Sequence, residues 1–97
     1  MNYDFHPEAE IEFFDAINYL EEQETGLGRN FAREIFASIR KITFFPYVWT
    51  PISKNARRIL VNKFRYGIIY QVQGDNILIV AVMHLSRKPY YWQGRAK

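Results

Sequence analysis

Nine residues near the end of the chain, His84-Leu85-Ser86-Arg87-Lys88-Pro89-Tyr90-Tyr91-Trp92, follow directly on the apolar run ILIVAVM. They crowd a titratable ring, two cations and three aromatics together. Imidazole and phenol groups move protons, guanidinium grips phosphate through paired hydrogen bonds, and aromatic faces stack on bases. That combination suits the handling of nucleic acid. The plainer alternative is a polar strand end under an aromatic lid.

More cations stand at other strand ends. Arg57-Arg58 opens one strand-like run and Arg65 precedes the next. Neighbours in a strand point to opposite faces, so only one of Arg57 and Arg58 can join Arg65 and Arg87 on a shared surface. Gathered there, guanidinium groups would hold phosphate and offset charge developing at phosphorus. The competing reading is a solvated basic face. Period-two alternation places His84 on the side of Leu78, Val80 and Val82. It is a structural rim histidine if that side meets the helices, and a candidate acid, base or contact residue if it does not. Tyr90, beside Arg87, is a candidate proton donor, whereas Trp92 is read as packing.

Other chemistries lack their residues. There is no phosphate-binding glycine loop, no serine nucleophile motif and no metal-ligand cluster, so neither metal nor cofactor is expected. Glu8, Glu10 and Glu12 read as a solvated acidic helix start.

Charge is divided along the chain. Residues 1–24 carry eight carboxylates and no Lys or Arg, while residues 25–97 carry all 13 cations against Glu34 and Asp75. The two parts hold −8 and +11, which favours a polyanionic partner, either nucleic acid or an acidic protein segment. Ninety-seven residues with 48% hydrophobic content support one domain, residues 1–97, around one core. With no cysteine, no apolar run of membrane length and no basic-then-apolar leader, a cytoplasmic protein without membrane contact is expected.

The elements that must position these groups follow from periodicity. Asn2 to Phe5 suits a short strand, and His6-Pro7 starts a helix in which Ala9, Phe13, Ala16, Ile17 and Leu20 recur at helical spacing to about Gln23. Two glycines in Thr25–Gly28 reverse the chain into a second helix, about Leu27 to Phe44, with Phe31, Ile35, Ile39 and Ile42 inward. Phe45 to Asn55, bracketed by Pro46 and Pro51, reads as an irregular connection. Three strands follow, over Ala56–Lys63, Tyr66–Gln73 and Ile77–Leu85, the last two joined at a turn around Asp75. The order is β-α-α-β-β-β. It predicts an α+β fold: a helical hairpin on one face of a mainly antiparallel four-stranded sheet, with the other face open.

With these residues in place, the sequence resembles the RelE/ParE superfamily of bacterial toxins from type II toxin–antitoxin pairs. The likeness spans nearly the whole chain: HPEAEIEFFDAINYLEEQ (6–23), GLGRNF (26–31), the RR pair (57–58), FRYGIIYQV (64–72) and ILIVAVMHLSRKPYYW (77–92). It implies the fold just derived. RelE-like members cut ribosome-bound messenger RNA by driving a ribose 2′-hydroxyl onto the adjacent phosphate. On that branch Arg58, Arg65 and Arg87 would hold the phosphate, with His84 or Tyr90 moving protons. ParE-like members bind and poison DNA gyrase without a hydrolytic centre. The chain lacks a lysine-rich strand and an obvious base, and its A-V-x-H strand ending leans to the ParE-like side.

On either branch the resemblance implies a cognate antitoxin that wraps the toxin in a hetero-oligomer. Arg57, Arg58, Arg65, Arg87, Lys88 and Tyr91 are the candidate residues for target or antitoxin contact. Two readings stand beside it: a non-toxic orphan homologue serving as a protein-binding module, and a plain basic RNA-binding domain.

Overall fold

The computed structural model describes residues 1–96. The chain begins with β1 (Asn2–Phe5), followed by α1 (Pro7–Gln23) and α2 (Leu27–Phe44). Strands β2 (Thr50–Ser53), β3 (Ala56–Leu60), β4 (Tyr66–Gln73) and β5 (Asn76–His84) come next, then a short 3-10 helix at Gln93–Arg95. The strands form one sheet in the order β1-β5-β4-β3-β2, with β1 parallel to β5 and the other neighbours antiparallel. This is the expected α+β fold with the expected helix bounds.

The sheet has five strands rather than four. Thr50–Ser53, expected within an irregular connection, pairs antiparallel with β3 through Thr50 opposite Arg58 and Pro51 opposite Arg57. Proline lacks an amide donor, but a strand at the rim of a sheet bonds along only one edge. The register then breaks between Pro51 and Ser53, so the rim strand stays short.

Local chemistry explains the hairpin. His6 caps α1, its Nδ1 accepting the Glu8 amide at 3.1 Å, and Pro7 fills the first turn. Between the helices, Gly26 adopts φ 89°, a left-handed conformation open to glycine at little cost. Glu21 secures the turn by accepting the Gly26 amide at 2.8 Å and the Gly28 amide at 3.0 Å. The Gly26 bond, foremost, holds the Glu21 carboxyl below its ordinary value of 4.5. Its contribution to stability is therefore present above that ordinary value and lost as pH falls through the lowered one.

At Gly28 the helices nearly touch. A methyl group there would stand 2.5 Å from the Ile17 carbonyl oxygen, a backbone atom that cannot swing aside. Gly28→Ala should therefore cost about 1–3 kcal/mol through overpacking despite alanine's better helix propensity, and a thermal melt will measure it. An unchanged or raised melting temperature would show that the helices separate at no cost.

Both faces of the sheet are covered, though unequally. On the first face Phe13, Phe31, Ile35, Ile39 and Ile42 from the helices pack on Ile59, Ile68, Tyr70, Ile77, Ile79 and Val82. The second face, expected to be open, is partly roofed by the C-terminal segment. There Trp92, only 2% exposed, packs with Ala56, Ile69, Val80, Ala81 and Met83. Ten-odd residues after β5 thus fold back over the sheet and bound what remains uncovered.

Candidate functional site

What remains uncovered is a groove of about 300 Å³ on the second face. Its floor is Ile69 and Met83 from the central strands, and Ile52 and Leu60 wall the side nearer β2. The segment after β5 supplies the opposite wall through Leu85, Pro89, Tyr90 and Trp92. Two guanidinium-bearing side chains, Arg58 and Arg87, line this otherwise apolar cleft.

Strand register decides which cations arrive there. Arg58 stands opposite Ile69 on β4, so it shares that residue's face, and its stem runs over Gly67, where a methyl group would touch Arg58 Cδ at 3.4 Å. Among the described residues no carboxylate lies within ion-pairing distance of Arg58. Arg57 points the other way, with Tyr70. Its Nη1 donates to the carbonyls of Tyr47 at 2.9 Å and Trp49 at 2.8 Å, and its head lies 5.5 Å from the Tyr47 ring centre. Arg57 therefore braces the connection ahead of β2. Arg65 is exposed at the turn before β4 and lines none of the groove, although its carbonyl accepts the Leu85 amide at 2.8 Å. Lys88 is exposed beside the groove wall.

His84 lies on the helix side of the sheet. Simple alternation groups it with Leu78, Val80 and Val82, but only Val82 shares its face. The ladder pairs Ile79 with Tyr70 and Ala81 with Ile69, leaving Val80 as an extra residue. Such a bulge inverts the alternation beyond it, so Leu78 and Val80 pack on the second face while Val82 and His84 turn to the first. The His84 ring meets Tyr66 edge-on at 5.1 Å, and its Nδ1 accepts the Ser86 amide at 3.1 Å with Ser86 Oγ at 2.7 Å. It lines a separate hollow of about 240 Å³ against α1, with Glu12, Asp15 and Tyr19. His84 is thus a rim histidine with structural partners.

Arg87 stands between the two hollows and lines both. Its guanidinium carbon lies 3.9 Å from the Tyr91 ring centre and its Nη1 is 3.9 Å from Glu12 Oε2. Tyr90 is half exposed, adopts φ 63° and leans on Trp92 with ring centres 5.9 Å apart. Tyr91 turns its phenol inward to Glu12 at 2.6 Å. Burial, foremost, and then the Glu12 bond push that phenol's pKa well above its ordinary value, so it remains a proton donor throughout the neutral range.

Sequence reasoning passed over Glu12 and Arg95. Glu12 was expected in solvent with Glu8 and Glu10, yet only 14% of its side chain is exposed. It pairs with Arg95, 12% exposed, at 2.8 and 3.1 Å. A signal did exist. Glu12 falls three residues after Ala9 and four before Ala16, both buried, so it rides the small-residue face by which α1 approaches β5. No metal-binding group of three or more His, Cys, Asp or Glu occurs among the described residues. Nor is any described helix long and apolar enough to cross a membrane.

Residues 3–89 match the model of a family described as "ParE toxin of type II toxin-antitoxin system, parDE". In solved structures, a chain of the chromosomal ParDE TA system from P. aeruginosa shares the fold, with a TM-score of 0.71 at 13% identity. That likeness covers 87% of this chain and 95% of the other. No curated protein sequence is significantly similar.

Proposed function

This chain belongs to the family of ParE toxins of type II toxin–antitoxin systems, and on that premise we propose that it arrests growth by binding DNA gyrase through the groove. A cognate antitoxin holds it inactive by covering the same face, so that one surface serves both partners in turn. The observation that carries this reading is the composition of the groove. Arg58 and Arg87 stand on apolar walls of Ile52, Leu60, Ile69 and Met83, which is the make-up of a protein-binding cleft with arginine anchors. Cutting RNA would also require a base within reach of a ribose hydroxyl. His84 faces the other side of the sheet, and Tyr91 is committed to Glu12. Arg58, Arg87 and Tyr90 can bind an anion, but among the described residues no His, Asp or Glu lines the groove.

Induction of the chain in growing cells tests the reading. Broken chromosomal DNA and an SOS response, with messages intact, are the expected outputs. Messages cut at ribosomes while DNA stays whole would replace gyrase by the ribosome as target. A short reading frame encoding the antitoxin is expected beside this gene, and its co-expression should relieve arrest. Growth unaffected by the chain alone, in several hosts, would instead favour the non-toxic binding module.

A further inference from the structure

Glu12 does more than pair with Arg95. Its Oε1 accepts the Val82 amide at 3.1 Å and Arg95 Nη1 at 2.8 Å, while Oε2 accepts the Tyr91 hydroxyl at 2.6 Å and Arg95 Nη2 at 3.1 Å. The Val82 amide calls for such an acceptor because the β1 register on β5 ends at Phe5 opposite Ile79. Arg95 completes the repair by donating to the Val80 carbonyl at 3.2 Å. A single carboxylate therefore joins α1, the bulged edge of β5 and the C-terminal segment.

These bonds lie beside the groove, and Tyr91 carries their effect into it. Fixed by Glu12 at its hydroxyl, the Tyr91 ring is the platform on which the Arg87 guanidinium rests at 3.9 Å. The preceding residue, Tyr90, holds a left-handed φ of 63°, a strained conformation for a bulky side chain that persists only when its flanks are constrained. Here the flanks are Tyr91, tied to Glu12, and Trp92, buried in the second face. We infer that Glu12 is a positioning residue of the toxin: through Tyr91 and Arg95 it pre-organises Arg87 and Tyr90 for the partner. The inference rests on the groove being the contact surface proposed above, and it adds a control element that lies outside that surface.

Hydrogen exchange read by mass spectrometry, run with growth-arrest assays on wild type, Glu12→Ala and Glu12→Gln, tests this. In Glu12→Ala, amides of residues 90–96 should exchange about ten- to a hundredfold faster, the span expected for losing bonds to a charged group. Amides of β4 should keep their protection, and arrest should be lost. Glu12→Gln retains a carbonyl acceptor and should restore part of both signals, which a general loss of stability would not do. If Glu12→Ala fails to fold, Tyr91→Phe, which removes only the phenol bond, takes its place with the same expected direction. Unchanged exchange across 90–96, or a freed segment with full arrest, overturns the inference. A wild-type chain that arrests nothing defeats the toxin reading instead, and exchange alone then decides whether Glu12 holds the segment.

Discussion

Replacing Arg58 and Arg87 together by alanine should leave a folded protein that no longer arrests growth. Arginines set among apolar walls are typical interface anchors, each contributing about 1–2 kcal/mol or more when truncated. Losing both should weaken the complex with the target by roughly 30- to 1,000-fold. The fold should hardly notice. Arg58 has no ion pair among the described residues, and the Arg87–Glu12 contact at 3.9 Å is long and half exposed, worth under about 1 kcal/mol. Growth curves after induction, beside circular-dichroism melts, check both halves of the statement. Full arrest by the folded double variant would remove the groove from the account.

Trp92→Ala should have the largest effect on stability. The indole is 2% exposed and fills the second-face core with Ile69, Val80 and Met83. Truncating a buried tryptophan costs about 3–5 kcal/mol, a large fraction of the 5–15 kcal/mol typical of a small domain. In a chain of this size that lowers the melting temperature by roughly 15 °C or more. The loss should also be local in its consequences, because the segment that Trp92 anchors carries Tyr90 and bounds the groove. Trp92→Phe should recover part of the stability and of the arrest. A melting temperature within about 3 °C of wild type would mean that the roof over the second face contributes nothing.

How much of this could be read from residues alone varies by element. Both helices were legible because their signals are local: a proline after His6, two glycines at the reversal, and apolar side chains at helical spacing. The β2 strand was hidden by Pro46 and Pro51, since a breaker and a rim strand look alike without the neighbouring β3. The bulge at Val80 was invisible in ILIVAVM, where every residue is apolar and an extra one leaves no mark. That single residue moved His84 to the helix side and took the imidazole out of the groove. Glu12 was misplaced for a related reason. A carboxylate near a helix start normally faces water, and the tertiary approach of Tyr91 and Arg95, 79 and 83 positions away, buries it. The convergence of Arg58 and Arg87 was within reach of strand alternation, whereas the expected contribution of Arg65 was not realised in the groove.

The Glu12 linkage also bears on how the groove keeps its shape. Arg87, Tyr90 and Trp92 reach the groove from a segment with little regular structure, which would ordinarily sample many conformations. Pinned at Trp92 and Glu12, the segment meets a partner with most of that ordering already complete.

The most direct measurement is a gyrase supercoiling reaction with the purified chain, run beside a translation reaction programmed with a defined message. The expected result is inhibited supercoiling with linear DNA accumulating, no effect from the Arg58→Ala, Arg87→Ala protein, and a full-length message in the translation mix. Undiminished supercoiling together with a message cleaved on the ribosome would contradict it.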